Sequence, residues 1–195
     1  DAYGKQQGAS EEIIGQVLGA RRKDIVLATK FGITAGQPQR TPGKGTRAYV
    51  MEAVDASLKR LQTDWIDLYQ MHRPDTNTPI DETLRALDDL VKAGKVRTVG
   101  CSNYSGAQVE DAMQAAQRIG VAGFTVAQDQ YSLLARGIEN ALMPALKRHE
   151  LSLLPYFPLA SGLLTGKYKP GADMPAGSRL SYSARHIDRF VTDTN

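Results

Sequence analysis

The stretch "WIDLYQMHRPD", from Trp65 to Asp75, begins as an apolar strand and ends in polar and turn-forming residues. Its first part is rich in aromatic and branched side chains, which favour strands. The stretch then reaches His72, Arg73 and Pro74 before its final aspartate. A histidine and charges directly after a strand indicate a site at the end of a sheet, and the rest of the chain repeats this arrangement.

Strand-like and helix-like segments alternate along the chain. We predict strands at 24–31, 65–71, 96–102, 123–128 and 151–159, helices at 10–20, 46–61, 79–94, 105–118 and 138–149, and Gly- and Pro-rich loops at 32–45 and 167–195. Ser10 and Thr78 are predicted helix caps, and Ser105 with Gln108 is a predicted capping box. Five strands alternating with helices predict a parallel sheet of right-handed βαβ units.

Each predicted strand ends in polar side chains, and successive ends lie 26 to 42 residues apart, about one βα unit each. Because parallel strands point their carboxyl ends to one side, these side chains should gather on one face. In a (β/α)₈ barrel, active sites form on that face. The side chains in question belong to Lys30, His72, Ser102, Asn103, Gln128 and Tyr156.

Tyr3 is a further candidate for this face, because it lies 27 residues before Lys30 and just before the first predicted helix. A phenol titrates near pH 10, and a nearby ammonium lowers its pKa. The phenol then donates a proton near neutral pH, and His72 can hydrogen-bond the same substrate oxygen. The three residue types together indicate acid–base chemistry.

Composition excludes several other classes of function. The 195 residues suffice for one domain with a core. The net charge is only +3, and the lysines and arginines are scattered among acidic residues, which argues against nucleic-acid binding. The single cysteine, Cys101, excludes an internal disulfide and fits a reducing compartment. No apolar run is long enough for a membrane span, and the three histidines and Cys101 lack metal-ligand spacing. These features favour a cytoplasmic, metal-free protein with no membrane or nucleic-acid partner.

Seven motifs occur in order along nearly the whole chain, and together they are specific although each alone is weak. They are "DAYG" (1–4), "SEEIIG" (10–15), "ATKFG" (28–32), "DLYQMHRPD" (67–75), "VGCSNY" (99–104), "QDQYSLL" (128–134) and "YFPLASGLLTGKY" (156–168). In these motifs the chain resembles the aldo-keto reductase family. The resemblance implies a (β/α)₈ TIM barrel that uses NADPH, or less often NADH, to reduce a small-molecule carbonyl to an alcohol.

The resemblance also implies roles for individual residues. Tyr3 is expected to donate the proton, Lys30 to depress its pKa, and His72 to orient the carbonyl. The expected contacts with the nicotinamide carboxamide are Ser102, Asn103 and Gln128; Tyr156 is expected to stack on the nicotinamide ring, and Pro158, Leu159, Ser161, Gly162, Leu163 and Gly166 to lie around the pyrophosphate.

The chain departs from the family pattern at both ends. The family has a fourth catalytic residue, an aspartate five positions before the tyrosine, and Asp1 does not match it. The first two strands, the last strand and the segment for the adenosine 2′-phosphate have no counterpart. Since such a barrel needs about 250 residues, we expect residues 1–195 to be one partial barrel domain with about five of the eight βα units, truncated at both ends.

Two alternatives to an active reductase stay open. One is a catalytically slow, cofactor-binding regulatory subunit that resembles the potassium-channel β-subunits. The other is an inert truncated product that cannot close its barrel. The identity of the substrate, the preference for NADP over NAD and the oligomeric state are not encoded in the motifs.

Overall fold

Alternating strands and helices build one parallel sheet with helices packed against one face. The structure, a computed structural model, describes residues 2–3, 6–35, 42–169, 172–182, 187 and 189–191. The elements are α1 (Ala9–Leu18), β1 (Ala28–Phe31), α2 (Arg47–Leu61), β2 (Ile66–Met71), α3 (Ile80–Lys92), β3 (Val96–Ser102), α4 (Gly106–Ile119), β4 (Val126–Gln130), α5 (Leu142–Arg148) and β5 (Ser152–Tyr156). The strands pair in chain order, all parallel, which confirms the predicted sheet and is consistent with part of a (β/α)₈ barrel.

The register of the sheet separates core residues from site residues. Phe31, Met71 and Cys101 are partners across β1, β2 and β3, and all three are buried in the hydrophobic core beneath the helices. Because side chains alternate along a strand, Lys30 and its partner Gln70 point to the opposite face. That face carries the predicted site residues toward the carboxyl ends of the strands.

One helix start was predicted correctly in detail. The Ser105 hydroxyl accepts a hydrogen bond from the Gln108 backbone N–H at 3.2 Å, and the Gln108 side chain accepts one from the Ser105 N–H at 2.9 Å. This capping box begins α4 directly after β3, whose bounds match the prediction.

Two predicted caps are wrong. α1 begins at Ala9, so Ser10 lies inside the helix, and Gly8 is the N-cap with φ 78°. This left-handed conformation favours glycine over a residue with a Cβ, which explains why glycine is there. Thr78 donates its hydroxyl to Asp75 at 2.7 Å instead of capping α3.

Several predicted ends shift for local reasons. β1 begins at Ala28 rather than at 24, because the Leu27 N–H donates to the Asp67 carboxylate. α5 begins at Leu142 rather than at 138, because Pro144 has no N–H for a longer helix. β5 ends at Tyr156 rather than at 159, because the next residue has φ 54°.

The fourth strand also differs from the prediction, since β4 covers 126–130 instead of 123–128. Its last residues continue to pair with β5, as Gln130 does with Tyr156. Parts of the predicted loops at 32–45 and 167–195, and of the motif at 1–4, lie outside the described residues. Within the described ranges, no helix has the length and apolar character that a membrane crossing requires.

Candidate functional site

Tyr3, Lys30 and His72 come together at the carboxyl ends of the first strands. The Tyr3 hydroxyl lies 3.5 Å from His72 Nε2, and the two ring centroids are 5.7 Å apart. Lys30 Nζ lies 5.4 Å from the centroid of the Tyr3 ring. Side chains 69 residues apart in the chain therefore form one cluster of a phenol, an ammonium and an imidazole.

Backbone hydrogen bonds position these side chains. The His72 N–H donates to the Phe31 carbonyl at 2.8 Å, which ties the end of β2 to the residue after Lys30. The Tyr3 carbonyl accepts a hydrogen bond from the Ser10 N–H at 3.2 Å, in the first turn of α1. The strand ends and the start of α1 therefore define where the cluster forms.

The electrostatics of the tyrosine differ from the expectation. Burial, followed by the charge of Tyr156, raises the pKa of the Tyr3 phenol above its usual value, whereas we expected Lys30 to lower it. The Lys30 ammonium lies by the face of the Tyr3 ring, and burial lowers its own pKa. The phenol therefore keeps its proton at neutral pH and remains able to donate it.

His72 is a neutral imidazole at physiological pH. Burial, together with the positive charges of Lys30 and Arg73, lowers its pKa to about 3. The residue is only 9% exposed. A neutral ring carries one N–H donor and one acceptor nitrogen, so His72 can hydrogen-bond an uncharged oxygen beside Tyr3.

Asn103 links four strand ends. Its Nδ2 donates to the His72 carbonyl and to the Ser102 hydroxyl, both at 3.0 Å, and its Oδ1 accepts from the Tyr156 hydroxyl at 2.8 Å. Its backbone N–H donates to the Gln128 carbonyl at 3.1 Å. The structure thus brings the predicted carboxamide residues and the predicted stacking tyrosine into one network.

Among the predicted cofactor-binding residues, two buried polar atoms have no hydrogen-bond partner in the described part of the structure. They are Gln128 Oε1 and Ser161 Oγ. Buried polar atoms are normally paired, so unpaired ones indicate that something else completes the site. A nicotinamide carboxamide and a pyrophosphate offer the matching donors and acceptors, so these residues fit a dinucleotide.

The segment after β5 has an unusual backbone. Phe157, Ala160 and Ser161 have φ between 47° and 57°, and Gly162 follows with φ 96°. Left-handed residues other than glycine are strained, and such strain clusters at functional sites. The six predicted pyrophosphate residues lie on this segment, and they are Pro158, Leu159, Ser161, Gly162, Leu163 and Gly166.

The described residues contain no group of three histidine, cysteine, aspartate or glutamate side chains that could hold a metal ion. Cys101 is a free thiol that faces the core, and burial raises its pKa.

Sequence reasoning missed one residue next to the cluster. The side-chain amide of Gln7 donates to the Ile33 carbonyl at 3.3 Å and accepts from the Ala35 N–H at 2.6 Å. A lone glutamine in a turn carries neither a periodic nor a motif signal, so only the fold reveals this contact.

Comparison with known proteins gives a family match. The model of the aldo/keto reductase family matches residues 1–189. A probable voltage-gated potassium channel subunit beta of Arabidopsis thaliana is 41% identical over 89% of this chain and 53% of its own length. The aldo-keto reductase YhdN of Bacillus subtilis is 41% identical over 85% of this chain and 48% of its own length.

A more distant relative has a named substrate. The L-glyceraldehyde 3-phosphate reductase of Escherichia coli is 33% identical over 99% of this chain and 57% of its own length. The chain thus spans about half the length of the curated relatives that it matches.

Proposed function

The chain belongs to the aldo/keto reductase family, and from that premise we propose that it carries the reactive face of an oxidoreductase that reduces an aldehyde or ketone to an alcohol with NADPH, or alternatively NADH. The observation that carries the proposal is the meeting of Tyr3, Lys30 and His72 at the carboxyl ends of the strands. One barrel domain would contain these five βα units, in a cytoplasmic setting that keeps Cys101 reduced.

The proton chemistry follows from the electrostatics of the cluster. A substrate carbonyl oxygen placed between the Tyr3 hydroxyl and His72 Nε2 would accept hydrogen bonds from both. Tyr3 then donates its proton to that oxygen as the alcohol forms, and the Lys30 ammonium stabilises the phenolate that remains. Neutral His72 orients the oxygen without competing as an acid, because its pKa is about 3.

When bound, NADPH would supply the hydride for the carbonyl carbon. Gln128 and Ser102 would bind its carboxamide, Tyr156 would stack on its nicotinamide ring, and the residues from Pro158 to Gly166 would bind its pyrophosphate. Asn103 has a more restricted role than expected, since both amide hydrogens already bind His72 and Ser102. Its Oδ1 keeps a second lone pair for the cofactor.

Tyr3→Phe tests the proposal in the whole protein. We expect turnover of an aldehyde panel, measured as NADPH oxidation, to fall by about 100-fold or more, since general acid catalysis contributes that much. Cofactor affinity, measured by fluorescence titration, should remain within about 2-fold, which is about 0.4 kcal/mol. Tyr182→Phe is the matched control, because Tyr182 is 73% exposed. Retained turnover, or an equal loss of cofactor affinity, would reject the role of Tyr3.

A regulatory subunit is the second candidate function. Its support is the 41% identity to a protein named as a probable potassium channel subunit beta. Such a subunit would use the same residues to hold the cofactor but would turn over slowly. Tight cofactor binding with slow single-turnover hydride transfer across the aldehyde panel would favour this candidate over the reductase.

A further inference from the structure

The position of Tyr3 depends on its backbone more than on packing of its side chain. The residue as a whole is 54% exposed and only partly buried, and the contact of its hydroxyl with His72 is long at 3.5 Å. A weak contact of this kind does not hold a reacting group in place. The Tyr3 carbonyl, however, accepts a hydrogen bond from the Ser10 N–H in α1, so the position of the start of α1 has to set the distance between the phenol and Lys30.

Resting on the proposed function, we propose that Gln7 is a positioning residue that fixes Tyr3 against Lys30 and His72. Its side chain clamps the residues directly before α1 onto residues 33–35 after β1, and α1 in turn binds the Tyr3 carbonyl through the Ser10 N–H. The clamp has two hydrogen bonds, one donated to the Ile33 carbonyl and one accepted from the Ala35 N–H. A single side-chain amide thus binds two backbone groups of the same loop.

The clamped loop is continuous with the other two members of the cluster. It begins at Gly32, two residues after Lys30, where φ is 103°. The residue before Gly32 accepts the hydrogen bond from the His72 N–H. Residues 32–35 thus follow Lys30 directly and begin next to the residue that binds His72. A side chain that holds the start of α1 to these residues therefore fixes Tyr3 relative to both Lys30 and His72.

Other contacts make the loop a firm anchor. Lys44 Nζ donates to the Thr34 hydroxyl at 2.9 Å, and the same ammonium lies 4.3 Å from the centroid of the Tyr49 ring. Thr34 and Tyr49 also line a cavity of about 170 Å³ together with Gln7 and Lys30. Residues 32–35 are thus held from the side of α2, and Gln7 ties the start of α1, and with it Tyr3, to that position.

Gln7→Leu tests the clamp, because leucine has a similar size but forms neither hydrogen bond. We expect kcat for aldehyde reduction to fall by about 10-fold or more, since small displacements of reacting groups are costly, while cofactor affinity stays within about 2-fold. Gln7→Glu keeps the oxygen that accepts the hydrogen bond from the Ala35 N–H, so its kcat should fall less than that of Gln7→Leu. Gln6→Leu is the matched control, because Gln6 is exposed and adjacent. Parental kcat in Gln7→Leu, or an equal loss in Gln6→Leu, would overturn the proposal.

A second readout does not need enzymatic turnover. In protein labelled with ¹³C-tyrosine, the Tyr3 signal is assigned with Tyr3→Phe and titrated with pH. Since burial raises the Tyr3 pKa, release of the clamp should move that pKa back toward its usual value near 10. If the Tyr3 pKa in Gln7→Leu equals that of the parent protein, the clamp is rejected, even if the parent protein reduces no aldehyde. If the Tyr3 pKa differs between the two but the parent protein is inactive, only the reductase function is rejected.

Discussion

The Tyr156 hydroxyl donates a hydrogen bond of 2.8 Å to the side-chain oxygen of Asn103, and this bond joins the carboxyl ends of β5 and β3. Asn103 continues the connection to β2 through the His72 carbonyl. The tyrosine that is proposed to stack on the nicotinamide is therefore linked, through one amide, to the histidine of the cluster that Tyr3, Lys30 and His72 form.

Tyr156→Phe keeps the aromatic ring and removes this hydrogen bond. We expect a loss of about 1 kcal/mol in the free energy of unfolding, the usual contribution of one hydrogen bond. Cofactor affinity should fall less than in Tyr156→Ala, which also removes the ring. Denaturant unfolding and fluorescence titration measure the two effects.

Tyr131→Phe is the control for that experiment. Its hydroxyl donates to Glu139 at 2.7 Å, and its contact with Tyr156 is made by its backbone N–H, which the substitution leaves in place. The substitution should lower stability similarly and leave cofactor affinity unchanged. Equal effects of Tyr156→Phe and Tyr156→Ala on the cofactor would contradict the stacking role.

Asn103 has φ 59°, a conformation that favours glycine or asparagine. We expect Asn103→Gly to be more stable than Asn103→Ala by about 1 kcal/mol, because a Cβ is strained in the left-handed region. Both variants lose the same side-chain hydrogen bonds, so the difference isolates the backbone. Thermal unfolding measures it.

Asn140 offers the opposite case, since its φ is −77° and its ψ −33°. The Asn140→Ala variant should therefore be more stable than Asn140→Gly, because glycine loses more conformational freedom on folding. The same order of stability at both sites would show that the left-handed conformation of Asn103 is not the cause.

His72 makes stability depend on pH. Its pKa is about 3 in the folded protein and about 6.5 when unfolded, so below pH 6.5 the unfolded state binds more protons. Stability should therefore fall as the pH falls from 6.5 towards 3, by up to about 1.4 kcal/mol per pH unit. Denaturant unfolding between pH 7 and pH 5 measures this dependence in the parent protein and in His72→Gln. The free energy of unfolding should change less with pH in the variant, and an equal pH dependence in both proteins would contradict the low pKa.

Asp67 should be a major source of stability at the opposite end of the sheet. Its buried carboxylate accepts hydrogen bonds from the Leu27 N–H and the Trp65 indole, and it pairs with Arg22 and Arg97. Asp67→Asn leaves buried Arg22 without its counter-charge, so we expect a loss of about 3 kcal/mol. Urea denaturation measures this loss, and cofactor affinity should not change.

The ion pair between Asp55 and Lys95 is the matched control, because both side chains are exposed. Asp55→Asn should lower the free energy of unfolding by less than about 1 kcal/mol. If the two substitutions destabilise the protein equally, burial does not explain the contribution of Asp67.

Local signals in the sequence were sufficient to predict the order of the five strands and the helices between them. β3 and the capping box of α4 were predicted correctly, because alternation and capping depend on neighbouring residues. The failures at Ser10 and Thr78 have different causes: α1 begins one residue earlier, where the left-handed conformation of Gly8 sets the N-cap, and the nearby Asp75 carboxylate takes the threonine hydroxyl.

The sequence by itself determined the parallel sheet and the face on which the predicted site residues gather, because the carboxyl ends of parallel strands meet wherever the chain alternates in this way. Only the tertiary structure decided the raised pKa of Tyr3, the network around Asn103 and the clamp formed by Gln7. These properties depend on burial and on distances between side chains that lie 26 to 69 residues apart in the chain, which no local pattern encodes.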